Sequence, residues 1–175
     1  MDVDFNQNFF EIFQLPVAFD LDLEDLASRY RQLQSGVHPD KFVIATEYEK
    51  RLSLQWATQI NSAYDTLRSD LARAIYLLEL NELHIEENPQ LAPDFLMAQI
   101  ELREELDEIG KGDGSLSKLE AFRKEVDQHL DEYRSEFASA YPDDMPAAEI
   151  AVYKLQFLGK LRDNADKLEE KLLDY

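Results

Sequence analysis

The chain contains no cysteine, which excludes disulfides, thiolate zinc sites, cysteine nucleophiles and thiolate-ligated iron–sulfur clusters. Any metal would need carboxylates or one of only three histidines, with no His-x3-His spacing to suggest it. Positive charge is scarce: 18 Lys and Arg stand against 37 Asp and Glu, a net charge of -19. Such a surface repels phosphate backbones and anionic membranes, so neither nucleic acid nor a membrane is an expected partner. No apolar run approaches the roughly 20 residues of a membrane span, and the N-terminus lacks the basic and apolar segments of a signal peptide. The expected location is the cytoplasm. Strand-like alternation is also absent, and no metal or other cofactor is expected.

What is present is 45% hydrophobic residues in 175, enough for one medium domain or two small ones. The stretch from residue 9 to 15 reads as a short first helix stopped by Pro16. Asp22 is a candidate N-cap for a second helix repeating Leu23, Leu26, Tyr30 and Leu33 and ending at Gly36. Thr46 and Glu49 form a capping box for a longer helix with Leu52, Trp56, Ile60, Ala63, Tyr64 and Leu67 on one face. A short apolar segment, Ala72 to Leu80, follows. Residues 81–93 hold Pro89, Pro93 and three glutamates and read as a linker or elbow. The predicted organisation is therefore all-α, with domains at 1–80 and 94–175. The second contains three helical patterns separated at Gly110–Gly114 and Tyr141–Pro146, a three-helix bundle. Its middle helix is predicted to start at a Ser117/Glu120 capping box and repeats Leu119, Phe122, Val126, Leu130, Tyr133 and Phe137. The last repeats Ala151, Leu155, Leu158, Ala165, Leu168 and Leu172.

The first bundle helix has two faces. At about 100° per residue, Phe95, Gln99, Leu102, Leu106 and Ile109 form a core stripe. Leu96, Met97, Ile100, Glu101, Glu104 and Glu108 cluster on the opposite side. Solvation explains the glutamates but not the apolar members, and full burial explains the reverse. A binding face accounts for both, unless the elbow or the first domain covers the apolar three.

Between the first two long helices lies His38-Pro39-Asp40, a polar loop for which a packed core has little use. With Tyr30-Arg31-Gln32-Leu33 before it, Lys41 after it and Ile60-Asn61-Ser62-Ala63-Tyr64 beyond, the segment resembles the J-domain signature of DnaJ-type co-chaperones. Phe95 to Glu108, Lys154 to Arg162 and Leu168 to Asp174 extend the resemblance over nearly the whole chain, to the HscB family of iron–sulfur co-chaperones. Val37 and Ser35-Gly36 depart from the usual J-domain pattern, where a Tyr and a basic pair are common.

The resemblance implies an L-shaped, two-domain, non-enzymatic adaptor of the bacterial form. It would deliver the scaffold IscU to the DnaK-type chaperone HscA and stimulate its ATPase. Independently of the resemblance, a monomer is expected, with weak dimerisation through the apolar face open to it. His38, Pro39, Asp40, Arg29, Arg31 and Lys41 would face the chaperone; alternatively, the two arginines are ordinary solvated charges. Asp40 would accept a bidentate bond from an arginine of the ATPase. Leu96, Met97, Ile100, Glu101, Glu104, Glu108 and Phe157 would form the scaffold site; periodicity places Phe157 on a flank of its helix and decides nothing about it. General-base catalysis by His38 lacks a companion nucleophile or oxyanion donor. Two other readings stay open: a J-protein with a different client, and an acidic helical structural protein in which His-Pro-Asp is incidental.

Overall fold

The structure, a computed structural model, describes residues 3–112 and 116–174, with Pro39 and Phe42 described by their backbone alone. All regular elements among the described residues are helical, and they fall into two compact units, Met1–Leu83 and His84–Tyr175.

The first unit contains α1 (Phe9–Ile12), α2 (Leu23–Gly36), a 3-10 turn (Pro39–Phe42), α3 (Glu47–Leu67) and α4 (Asp70–Leu80). α1 is shorter than the predicted stretch to residue 15. An Asn8/Glu11 capping box opens it, and a left-handed Gln14 (φ 55°) closes it. There the Leu15 N–H donates to the Phe10 carbonyl and the Gln14 N–H to the Glu11 carbonyl, the paired closure of a Schellman turn. Pro16 therefore lies beyond the helix end and does not stop it. The reason lies in packing: Phe10 and Ile12 project from nearly opposite sides of a helix, yet both are buried with Phe13, so the segment is enclosed on two sides. A second left-handed residue, Glu82 (φ 59°), closes α4 in the same way.

Asp22 caps α2 and the Thr46/Glu49 box caps α3, as their spacings predict. Leu23 departs from its predicted core position: it is 46% exposed in the first turn of α2, and Leu26 is the fully buried member of that stripe. α4 begins two residues earlier than its apolar pattern, at Asp70, because the Ser69 hydroxyl accepts the Ala72 N–H. Beneath these helices sits Arg73, 4% exposed. Its guanidinium donates to the Phe19 carbonyl at 2.7 Å, the Leu67 carbonyl at 2.6 Å and Asp70 Oδ1 at 2.8 Å. One side chain thus ties α4 to the end of α3 and to the segment leading into α2.

The second unit contains α5 (Pro93–Lys111), α6 (Leu116–Ala140) and α7 (Met145–Leu173). α6 and α7 pair antiparallel, and their cross-helix ion pairs record the register. Arg123 meets Glu169 and Asp166, Asp127 meets Arg162, and Glu136 meets Lys154. Leu119, Phe122, Val126, Leu130 and Phe137 of α6 pack with Ala151, Leu155, Leu158 and Ala165 of α7, all buried as their periodicity predicts. The predicted breaks shift at both ends. Ser117 is already inside α6 and so does not cap it, while Asp113 and Gly114 of the first break lie outside the described residues. At the second, the Asp144 side chain accepts the Ala147 N–H, which brings Met145 and Pro146 into the first turn of α7. Tyr153, 4% exposed, holds the segment before α5: its hydroxyl accepts the Glu86 N–H at 2.7 Å and donates to Glu149 at 2.8 Å.

Candidate functional site

In the first unit, α2 and α3 are joined by the residues that flank the His-Pro-Asp loop. The Tyr30 and Tyr64 rings stack at 4.0 Å between centroids, 6° from parallel, and the Tyr30 hydroxyl donates to Asn61 Oδ1 at 2.7 Å. At the base of the loop Val37 is buried, and its carbonyl accepts from the Ser53 hydroxyl at 3.3 Å. The position where a Tyr is commoner thus serves as an apolar plug. From that anchor the chain turns through the 3-10 segment, where the Lys41 N–H donates to the His38 carbonyl at 3.0 Å. The Asp40 amide N–H donates to His38 Nδ1 at 3.4 Å, which braces the loop across Pro39, and the Asp40 carboxylate lies 3.3 Å from the same nitrogen. The Asp40 side chain remains 87% exposed.

Arg31, His38, Asp40 and Lys41 surround one shallow hollow together with Gln34 and Ser35. Arg29 is committed elsewhere: its Nε donates to the Asp25 carboxylate at 3.0 and 3.1 Å, and another guanidinium nitrogen donates to the Phe13 carbonyl at 3.0 Å. It fastens α2 to the chain after α1. Among the described residues, the cations beside Asp40 without an ion pair are Arg31 and Lys41. The contacts of the His38 side chain are with Asp40, and no hydroxyl among the described residues is joined to it as a nucleophile would be.

In the second unit the two faces of α5 separate cleanly. Phe95, Gln99, Leu102, Leu106 and Ile109 are its buried residues. Leu96, Met97 and Ile100 are 41%, 57% and 49% exposed, and Glu101, Glu104 and Glu108 are exposed beside them. Phe157 of α7 is half-buried, its ring edge-on to Phe95 at 6.0 Å. Nearby on α5, burial and the carboxylates of Glu125 and Glu108 raise the Glu105 carboxyl above its ordinary value. Among the described residues no three His, Asp or Glu side chains gather as metal ligands, and no helix is long and apolar enough to cross a membrane.

The family model for the HscB C-terminal oligomerisation domain matches residues 91–166. A co-chaperone protein HscB homologue of Vibrio vulnificus (strain YJ016) is 43% identical over 171 residues, spanning 94% of this chain and 98% of the relative. The chain belongs to the HscB co-chaperone family. Solved HscB structures share its fold. Chaperone HscB from Vibrio cholerae superposes with a TM-score of 0.87 at 36% identity, covering 95% of this chain and 99% of that one. Human co-chaperone protein HscB gives 0.88 at 28% identity, over 96% and 84%. The His-Pro-Asp unit is thus the J-domain of an HscB-type co-chaperone, a class that works with a chaperone partner.

One part of the loop surface escapes sequence reasoning. Val43, Ile44 and Tyr48 are 73%, 100% and 66% exposed and line a second hollow with Asp40 and Lys41. The signal available is the apolar pair Val43-Ile44 in a short loop between Lys41 and Thr46, where no helical period gives it a core to face.

Proposed function

We propose that this HscB-family chain binds an IscU-type iron–sulfur scaffold on the exposed face of α5, with Phe157 at its edge. It then presents the scaffold to an HscA-type ATPase through the J-domain loop. The reading rests above all on the unburied apolar and acidic face of α5: three large apolar side chains hold that exposure opposite a complete core stripe. A water-exposed apolar cluster edged by carboxylates fits a partner with an apolar patch rimmed by Lys or Arg. At the loop, Asp40 offers both carboxylate oxygens at a braced tip, suited to a bidentate arginine contact, and Arg31 and Lys41 supply charge for an acidic neighbour on the ATPase. The effect on the ATPase is allosteric: docking favours the hydrolysing arrangement, and His38 positions the loop without taking part in chemistry. In this reading residues 1–80 face the chaperone, 94–175 face the scaffold, 81–93 connect them, and all three proteins meet in the cytoplasm.

The experiment is steady-state ATP hydrolysis by the cognate HscA with wild-type protein or Asp40→Asn, each with and without IscU. Stimulation that rises synergistically with IscU and disappears in Asp40→Asn, whose melting temperature stays unchanged, is the expected result. Stimulation indifferent to IscU would keep the J-domain role and remove this client. Equal stimulation by Asp40→Asn would refute the loop mechanism.

A further inference from the structure

The second unit carries a cationic groove on an otherwise acidic protein. Arg103 and Lys111 of α5 face Lys160, Lys167 and Lys171 of α7 across it, with one carboxylate, Asp107, among them. The partnering of charges in this unit is uneven. Arg123, Lys124, Arg134, Lys154 and Arg162 each make an ion pair, and Lys118 has a partner of its own. The five groove cations have no ion-pair or hydrogen-bond partner among the described residues. Lys111 and Lys171 lie in the last turns of their helices, where the helix dipole favours a cation. That explains two of the five. Arg103, Lys160 and Lys167 lie further from the helix ends, and their mutual repulsion, in a chain with twice as many acids as bases, calls for something that the fold itself does not supply.

The floor of the groove narrows the choice of occupant. Between the cations its lining mixes Leu106, Leu161 and Leu168 with the polar Asn164, and Phe157 lies at one end. Bare phosphate or a nucleic-acid backbone would leave that floor unused, and the net charge of -19 opposes a polyanion at long range. A peptide with apolar side chains flanked by Asp or Glu uses both the floor and its rims. Phe157 also belongs to the scaffold face proposed above, so groove and face adjoin across α5 and α7. We infer that the groove is a second subsite for the same client, taking an acidic, apolar segment of the scaffold while its basic rim meets Glu101, Glu104 and Glu108. This deepens the function proposed above and rests on it. The client is then read by two patches of opposite charge, which fixes its orientation.

The test is titration calorimetry of the full-length protein with purified IscU at about 50 and 300 mM salt. It compares wild type, a groove variant (Arg103→Gln, Lys160→Gln, Lys167→Gln), a face variant (Leu96→Ala, Met97→Ala, Ile100→Ala) and a control with the same change of charge on α6 (Lys118→Gln, Lys124→Gln, Arg134→Gln). The groove variant should bind about tenfold more weakly at low salt, lose much of this difference at high salt, and melt no lower than wild type because its cations hold no partners. The control should bind like wild type. Full affinity of the groove variant beside a weakened face variant overturns the inference and leaves the proposed function standing; full affinity of both overturns the two together. Sedimentation equilibrium and binding of a 20-nucleotide single strand decide between other occupants. A groove-dependent dimer or groove-dependent oligonucleotide binding, with the client unaffected, refutes the acidic peptide.

Discussion

Replacing Arg73 with Met keeps the length and apolar stem of the side chain and removes only its guanidinium. The groups it leaves behind are specific: the Phe19 and Leu67 carbonyls each lose the guanidinium as a donor, and Asp70 loses its ion pair with Arg73. A carbonyl shut away from water without a donor costs about 1–3 kcal/mol. Asp70 is 37% exposed and recovers water, so its loss counts for little. The stacking of the guanidinium over the Phe19 ring, 5.1 Å to its centroid, is also lost. Against this, no charge needs to be desolvated in the variant, which returns part of the total. The expected net loss is about 3 kcal/mol. Urea unfolding followed by Trp56 fluorescence measures it directly, because the chain's one tryptophan lies 9% exposed in α3 and therefore reports the first unit. A loss below about 1 kcal/mol would show that the two carbonyls find other donors and that Arg73 is not the tie between α3, α4 and the segment before α2.

Gln14→Gly and Glu82→Gly should each stabilise the first unit by about 0.5 kcal/mol, since both residues sit in the left-handed region that glycine enters freely; thermal unfolding tests this, and Ile at either position should lower the midpoint. Tyr153→Phe should cost about 1–2 kcal/mol and speed hydrogen exchange at the Glu86 amide, which loses its acceptor. Glu105→Gln should raise the melting temperature slightly at neutral pH. With its folded pKa raised by burial and by Glu125, the ionised carboxyl is a liability that grows as pH rises above about 4.5 and is absent below it. The gain should therefore vanish in melts at acid pH, and a gain that persists there would refute this origin.

The helices and both faces of α5 were legible because each depends on local spacing: Asp22 and Thr46 as caps, and Phe95, Gln99, Leu102, Leu106 and Ile109 as a single stripe. The loop motif was legible because its chemistry lies in consecutive residues. What spacing misses is set by tertiary partners. Arg73 looks like an ordinary helix cation until Phe19, 54 residues away, supplies a carbonyl. Arg29 reads as a surface charge, yet Phe13 and Asp25 occupy it. Leu23 fits a stripe but falls in a first turn that is only half covered, and Phe13 to Leu15 look helical until the burial of Phe10, Ile12 and Phe13 is met by a turn. The cationic groove is invisible in sequence because its two sides, Arg103 and Lys160, come from helices separated by the whole of α6.

Each compact unit has its own hydrophobic core, so injury to one need not silence the other. If the proposed function holds, a molecule whose first unit has melted, for instance through loss of Arg73, would keep α5 and α7 and with them the proposed scaffold face, but it would have no tip to offer the ATPase. Such a molecule would be worse than an absent one. It would withhold the proposed client from intact neighbours in proportion to its own abundance, so damage to the loop-bearing half should behave in a mixed population as a dominant poison, while damage to the bundle should behave as a simple recessive loss.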